Sequence, residues 1–191
     1  MKDKIKVLVL ADHPYSPSGV GTQTRYMVEG LLASGQFSFI CFGGAVRHED
    51  YSPQKFEKYG DDLVVFPVDG YGTQDAIRSI LRTERPDILW FMTDPRFFPW
   101  LWEIEDEVRS LIPMVYYHVW DNYPDFNKTW YDSTDVVVAI SKVTHDIVKN
   151  VSPEVETHYL PHSVNSDAFK PLSKKDTNEL REKASFDEDK F

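Results

Sequence analysis

The sequence predicts an α/β domain: a doubly wound, mostly parallel sheet flanked by helices. Three observations predict it. Short apolar runs alternate with amphipathic segments along the chain, without an internal repeat. The runs are nearly continuous in Val, Ile, Leu and Phe, as in strands covered on both faces. The first run leads through a turn-rich loop into Gly19-Val20-Gly21, which opens a helix ending at Gly35.

Taken in order, Ile5 to Leu10 is the first strand, and the helix after it carries Val20, Met27, Val28, Leu31 and Leu32 on one side. Its glycines either bring backbone close to a ligand, where unpaired N–H groups suit an anionic or hydroxyl-rich molecule, or simply permit a tight turn. Phe37 to Phe42 is a second strand, stopped by Gly43-Gly44. Residues 45–60 are polar and form a long excursion with one short helix. Leu63 to Phe66 is the third strand, and Thr73 to Glu84 a helix closed by Pro86.

Asp87 to Met92 is a strand opening into Thr93-Asp94-Pro95. A helix over Phe97 to Leu111 carries Phe97, Phe98, Trp100 and Trp102, then Glu103, Glu105, Asp106 and Glu107. These acids read as a solvated face rather than paired acid/base catalysts. Met114 to Tyr117 runs into His118-Val119-Trp120-Asp121. Asp135 to Ile140 is a strand, after which Ser141 caps a helix to Asn150. Thr157 to Leu160 is the last strand, and a charged helix is expected beyond Lys170.

Ligands in such sheets bind beyond the carboxyl ends of the strands. The residues expected there are His13, Gly19, Gly21, Asp94, His118, Asp121, Ser141 and His162. The His118/Asp121 corner either orients a substrate hydroxyl and stabilises developing charge, or makes a structural hydrogen bond.

Composition narrows the function classes. The chain has 191 residues, enough for one large domain, and 31 acidic against 21 basic side chains give a net charge of −10. With no Lys/Arg-rich run, a broad nucleic-acid footprint and strong docking on anionic membranes are not expected. The lone Cys41 excludes an intrachain disulfide and reads as an inert buried thiol. The amino terminus resembles neither a signal peptide nor a membrane span, so the expected location is cytoplasmic. Asn127-Lys128-Thr129 fits the glycosylation pattern, which has no meaning without secretion.

A dinucleotide fingerprint fails because Thr24 stands at its third glycine and no acid follows the second strand before Glu49. The phosphate-binding Gly-Lys-Ser/Thr, the zinc-binding H-E-x-x-H and the G-x-S-x-G elbow are absent. His13, His118 and His162 lie on separate loops, so no metal is expected.

In combination the motifs resemble the retaining glycosyltransferases of family four (group 1), which have the GT-B fold. Ser18-Gly19-Val20-Gly21 resembles their glycine-rich first loop, and His118-x-x-Asp121 their histidine/aspartate corner. Asp135-Val136-Val137-Val138-Ala139-Ile140-Ser141 is similar to their "D-x-V-I-A-x-S" segment. Pro161-His162-Ser163-Val164-Asn165 through Phe169-Lys170-Pro171 is similar to "P-N-G-V-D-x-x-x-F-x-P", the crossing into the linker, with His162, Ser163 and Asn165 replacing the usual Asn, Gly and Asp.

The resemblance implies that residues 1–171 are a Rossmann-like N-terminal, acceptor-side domain and that residues 172–191 lead towards a C-terminal domain absent here. That domain would hold the basic pair and Glu-x(7)-Glu motif of the nucleotide-sugar site. The implied activity is retaining transfer from a nucleotide-sugar donor to a sugar or glycoconjugate acceptor in the cleft between the domains, with no separate cofactor and no metal. His118 and Asp121 are the implied catalytic residues. Gly19, Val20, Gly21 and Ser141 are the implied donor contacts, and the aromatic patch around Phe97 to Trp102 would touch an acceptor sugar. The 191 residues alone are then expected to be inactive. The alternatives are an α/β module that binds a sugar or nucleotide without catalysis and, more remotely, a small oxidoreductase.

Overall fold

The computed structural model describes residues 4–119 and 127–185. Eight strands form one sheet in the order β3-β4-β2-β1-β5-β6-β7-β8. They are β1 (Ile5–Asp12), β2 (Phe37–Gly44), β3 (Gln54–Phe56), β4 (Gly60–Pro67), β5 (Ile88–Met92), β6 (Met114–His118), β7 (Val136–Ala139) and β8 (Glu156–Tyr159). All neighbours are parallel except β3 and β4. The chain winds outward from β1 through β2 to β4, then returns to place β5 on the other side of β1. The topological switch therefore lies between β1 and β5, and the crevice of such a sheet opens at their carboxyl ends.

The helices are α1 (Gly19–Ala33), α2 (Gln74–Thr83), α3 (Pro99–Trp102), α4 (Glu105–Arg109), α5 (Lys128–Asp132), α6 (Lys142–Val151) and α7 (Lys174–Lys183). Side chains alternate across the sheet. Leu8, Leu10, Leu89, Phe91 and Tyr116 point to the face covered by α2, α3 and α4. Val7, Val9, Phe39 and Cys41 point to the opposite face, where α1 lies. Cys41 is wholly buried and its thiol is pushed up by desolvation, as expected of an inert residue.

Beside α1, that second face keeps a hollow of about 340 Å³ against Trp90, Tyr117 and Val138. The strand-to-tail segment spans one side of it. Gln23 Nε2 donates to the Ser163 carbonyl (2.8 Å), Ser163 N donates to Gln23 Oε1 (3.2 Å), and the Tyr117 hydroxyl donates to the Leu160 carbonyl (2.9 Å). The helix α7 that follows buries none of its residues.

The structure departs from the expected elements at residues 45–60 and 97–111, and β2 runs on through Gly43 and Gly44. The excursion over residues 45–60 holds no helix; its regular element is β3, an edge strand antiparallel to β4. Gln54-Lys55-Phe56 alternates in exposure, and Phe56 packs on Tyr15 at 4.9 Å with the rings tilted, so pairing and one aromatic contact decide the conformation. The single helix expected over Phe97 to Leu111 is three pieces: a 3-10 turn at Pro95–Phe97, then α3 and α4. Pro99 lacks an N–H to bond back into the preceding turn and starts a new helix instead. Ile104 leaves helical geometry to bury its side chain in the core. The acids on these pieces are surface groups: Glu107 pairs with Arg78 (2.7 Å) and Glu105 with Arg109 (3.1 Å).

Among the described residues no helix is long and apolar enough to cross a membrane.

Candidate functional site at the switch point

Asp12 ends β1 and is 6% exposed. A buried carboxylate needs donors, and two hydroxyls supply them: Ser18 Oγ at 2.5 Å and Tyr71 Oη at 2.9 Å. Ser18 is also the N-cap of α1, with its Oγ accepting from Gly21 N at 2.9 Å. One hydroxyl thus ties the helix start to the strand end. Burial and the bond to Asp12 push the Tyr71 phenol up to about 12, so it stays protonated and keeps donating. Ser18→Ala is expected to cost more than the roughly 1 kcal/mol usual for a cap, because the buried Asp12 carboxylate also loses a donor, and the check is the urea midpoint against wild type.

The two glycines of the loop differ. A side chain at Gly19 would meet nothing within 4 Å, so the first turn of α1 faces open space. A Cβ at Gly21 would lie 2.2 Å from Ser16 Oγ and 2.8 Å from the His13 carbonyl oxygen. The close approach that Gly21 permits is therefore to the chain's own loop. Of the first N–H groups of α1, Gly21 N is used by Ser18 Oγ and Thr22 N by the Ser18 carbonyl (2.9 Å). Gly19 and Val20 begin the helix on its open side, where intrahelical partners for an N–H do not exist.

His13 follows Asp12. Its Nδ1 accepts from Tyr15 N (3.1 Å), which assigns the proton to Nε2, 3.0 Å from Gln54 Oε1. Burial holds its pKa below the usual imidazole value, so it is neutral. On the other side of the switch, Thr93 follows β5 with φ 131°, a conformation strained for a branched residue. Its carbonyl accepts from Tyr116 Oη at 3.0 Å. Asp94 caps the 3-10 turn through Arg96 N (2.9 Å) and pairs with the Arg96 guanidinium. Burial works against its charge, but these contacts hold its carboxyl below the ordinary value.

His118 ends β6 with 0% exposure. Its Nε2 lies 2.8 Å from the Tyr131 hydroxyl, and its ring packs between Tyr116 and Tyr131. Desolvation lowers its pKa to about 3, with the charge of Asp94 pulling the other way. It is a neutral, enclosed imidazole. Asp121, its expected companion, lies outside the described residues. Ser141 caps α6, accepting from Thr144 N at 3.0 Å. His162 packs its ring 5.5 Å from that of Tyr117, and burial lowers its pKa.

The structure lines these residues along one sheet edge without gathering them into one contact set. Adjacent strands are about 4.8 Å apart, so β6 lies roughly 10 Å from β1 and β7 roughly 15 Å. Gly19, Val20 and Gly21 sit together, whereas His118 and Ser141 stand two and three strands away. Sequence reasoning missed Asp12 and Tyr71, although an acid ending an otherwise apolar strand was a usable signal. Among the described residues, no group of three or more His, Cys, Asp or Glu side chains is placed to hold a metal ion.

No protein-family model and no curated protein matches the sequence. Solved structures do. One, described as "Trehalose-6-phosphate from E. coli bound with UDP-2-fluoro glucose", is similar at a TM-score of 0.51 and 12% identity, over 94% of this chain and 54% of that one. At that identity the likeness shows the fold: an α/β, Rossmann-like domain with a doubly wound, mostly parallel sheet. This chain spans about half the length of that one.

Proposed function

We propose that the chain is the N-terminal, acceptor-side domain of a retaining glycosyltransferase of GT-B type, similar to family four. It would work with a C-terminal domain that binds most of the nucleotide-sugar donor. The observation that carries this reading is the start of α1. It lies at the switch point with open space at Gly19, where free N–H groups and the positive end of the helix suit a diphosphate. The structural neighbour is bound with UDP-2-fluoro glucose, a nucleotide sugar, which supports a ligand of that class for this fold.

In this reading the helix start stabilises the leaving diphosphate. The Asp12–Ser18–Tyr71 bonds hold that helix start in place. His118 acts as a neutral group near the donor sugar, Asp121 supports it or the acceptor, and Ser141 lines the edge further out. Transfer needs the partner domain, so the 191 residues alone bind donor weakly and do not turn over. The alternative, a binding module without catalysis, is favoured by the enclosure of His118.

UDP titrated into the chain is expected to shift the amide resonances of Gly19 and Val20 with weak affinity. Gly19→Asp places a carboxylate where the site is open. It is expected to stabilise α1 by about 0.3–1 kcal/mol through the helix dipole and to weaken UDP at least about tenfold, worth about 1.4 kcal/mol. An unshifted Gly19 amide sinks the reading. Tight UDP-sugar binding by this chain alone favours the binding module.

A further inference from the structure

We propose that Tyr71, Phe97 and Trp100 form a shelf that binds a neutral pyranoside. The shelf stands on its own geometry; giving it to the acceptor rests on the glycosyltransferase reading above.

Most large aromatic side chains of this segment are core. Phe98 is fully buried, edge-to-face with Phe91 at 5.4 Å, and Trp102 packs on the same cluster. Phe97 does the opposite: it is 51% exposed and lies on the Tyr71 ring at 4.9 Å, tilted by 34°. The pair leaves an aromatic face open beside the carboxyl end of β5. Tyr71 continues inward to Phe98 at 5.7 Å, so the exposed pair is fastened to the core. On the other side of Gly72, Trp100 walls a shallow hollow of about 340 Å³ with Thr73 and Asp75.

The shelf is held before any ligand arrives. The Tyr71 hydroxyl is bound to Asp12, Phe97 sits in the 3-10 turn capped by Asp94, and the Trp100 carbonyl accepts from Gln74 Nε2 at 3.2 Å. Gly72 has φ 101°, and a Cβ there would stand 2.7 Å from the Phe42 ring and 3.6 Å from Trp100 Cζ2. A side chain at that position would clash with the Phe42 ring, so glycine lets the turn between Tyr71 and Thr73 pack on the core.

The polar rim selects the ligand. Asp75 has a fully exposed carboxylate, and Thr73 Oγ1 accepts from Ala76 N while its own O–H remains to donate. None of the residues lining the hollow is a cation; Arg78 reaches Asp75 at 3.9 Å but is shared with Glu107 at 2.7 Å, and Arg96 is paired with Asp94. One guanidinium against two carboxylates leaves the cluster net negative, which disfavours an anion. A neutral ring with an apolar C–H face and hydroxyls on its edge matches both halves: aromatic faces below, carboxylate and hydroxyl at the side. A pyranoside has that chemistry.

The test is a titration of the 191-residue chain with methyl glucoside, methyl mannoside and methyl galactoside, followed on the Trp100 indole N–H and the Phe97 and Gly72 amides. At least one sugar is expected to give saturable shifts at these three positions. Phe97→Ala is expected to weaken it about five- to tenfold, and Asp75→Asn to weaken it too. Both positions are exposed, so the fold survives either change. Shifts absent for all three sugars, or unchanged in Phe97→Ala, overturn the shelf, as does a shift that follows protein concentration and marks self-association. Pyranoside shifts without any UDP shift at Gly19 keep the shelf and remove the glycosyltransferase reading. UDP shifts without pyranoside shifts do the reverse.

Discussion

Acidifying the protein from pH 7 to pH 5 is expected to remove about 2 kcal/mol of stability, and His118→Gln is expected to abolish most of that dependence. Burial among Tyr116 and Tyr131 lowers the folded-state pKa of His118 to about 3, against 6.5 for the ordinary group. Between those values the unfolded chain binds a proton that the folded chain does not, so stability rises with pH. The contribution is fully present above about pH 6.5 and is lost as the pH falls towards the folded value, at about 1.4 kcal/mol per unit. The acid facing His118 is Asp94, whose charge opposes the shift without cancelling it. His13 and His162 are lowered by burial as well and add slope of the same sign, which is why the substitution leaves a remainder. Urea unfolding of both proteins at pH 7, 6 and 5 measures it, and the quantity compared is the slope, since glutamine in an enclosed site carries its own cost. A wild-type midpoint that does not move between pH 7 and 5 contradicts the enclosure of His118. The functional corollary is that an enclosed histidine that stays neutral throughout this range brings no positive charge to this part of the strand edge.

The sheet was legible in the sequence because its strands are apolar on both faces and its helices have clear edges. Ser141 caps α6 as its place before an amphipathic run predicts, and Gly35, at φ 70°, follows the end of α1. The pieces that were not legible depend on distant partners. A three-residue edge strand such as β3 exists because β4 offers it a ladder. The break at Ile104 exists because the core takes that side chain. Gly43-Gly44, expected to stop β2, continues it: a Cβ at Gly44 would lie 2.8 Å from the carbonyl oxygens of both Ala11 and Gly70, so the pair lets three segments converge. The site shows the same division. The glycines and His118 announce themselves by spacing, but the Asp12–Tyr71 bond joins positions 59 residues apart and no local pattern encodes it. Nor does spacing reveal that Gly21 makes room for the loop before it while Gly19 faces open space.

Gly21→Ala is expected to cost 2–3 kcal/mol, against the usual sign of a glycine-to-alanine change in a helix. At the third residue of α1, alanine gains up to about 1 kcal/mol of helix propensity. That gain is outweighed because the new methyl group would sit 2.2 Å from Ser16 Oγ and 2.8 Å from the His13 carbonyl oxygen. Ser16 can turn away; the His13 carbonyl belongs to the backbone and accepts from Ser16 N at 2.8 Å, so it yields only if the loop moves. Overpacking of this kind costs about 1–3 kcal/mol and more where backbone must shift. The two contacts can be separated with Ser16→Ala. That change removes the nearer clash along with the 3.0 Å contact between Ser16 and Ser18, and in the double variant it is expected to recover about 1 kcal/mol of the loss. Urea unfolding of wild type, both single variants and the double variant closes the cycle. Additive costs would mean that the loop and α1 are not packed as described. UDP titration of the same four proteins carries the result to function. A displaced loop moves Ser18, which caps α1 and bonds Asp12, so the Gly19 and Val20 amides should lose their UDP shifts in Gly21→Ala and regain part of them in the double variant.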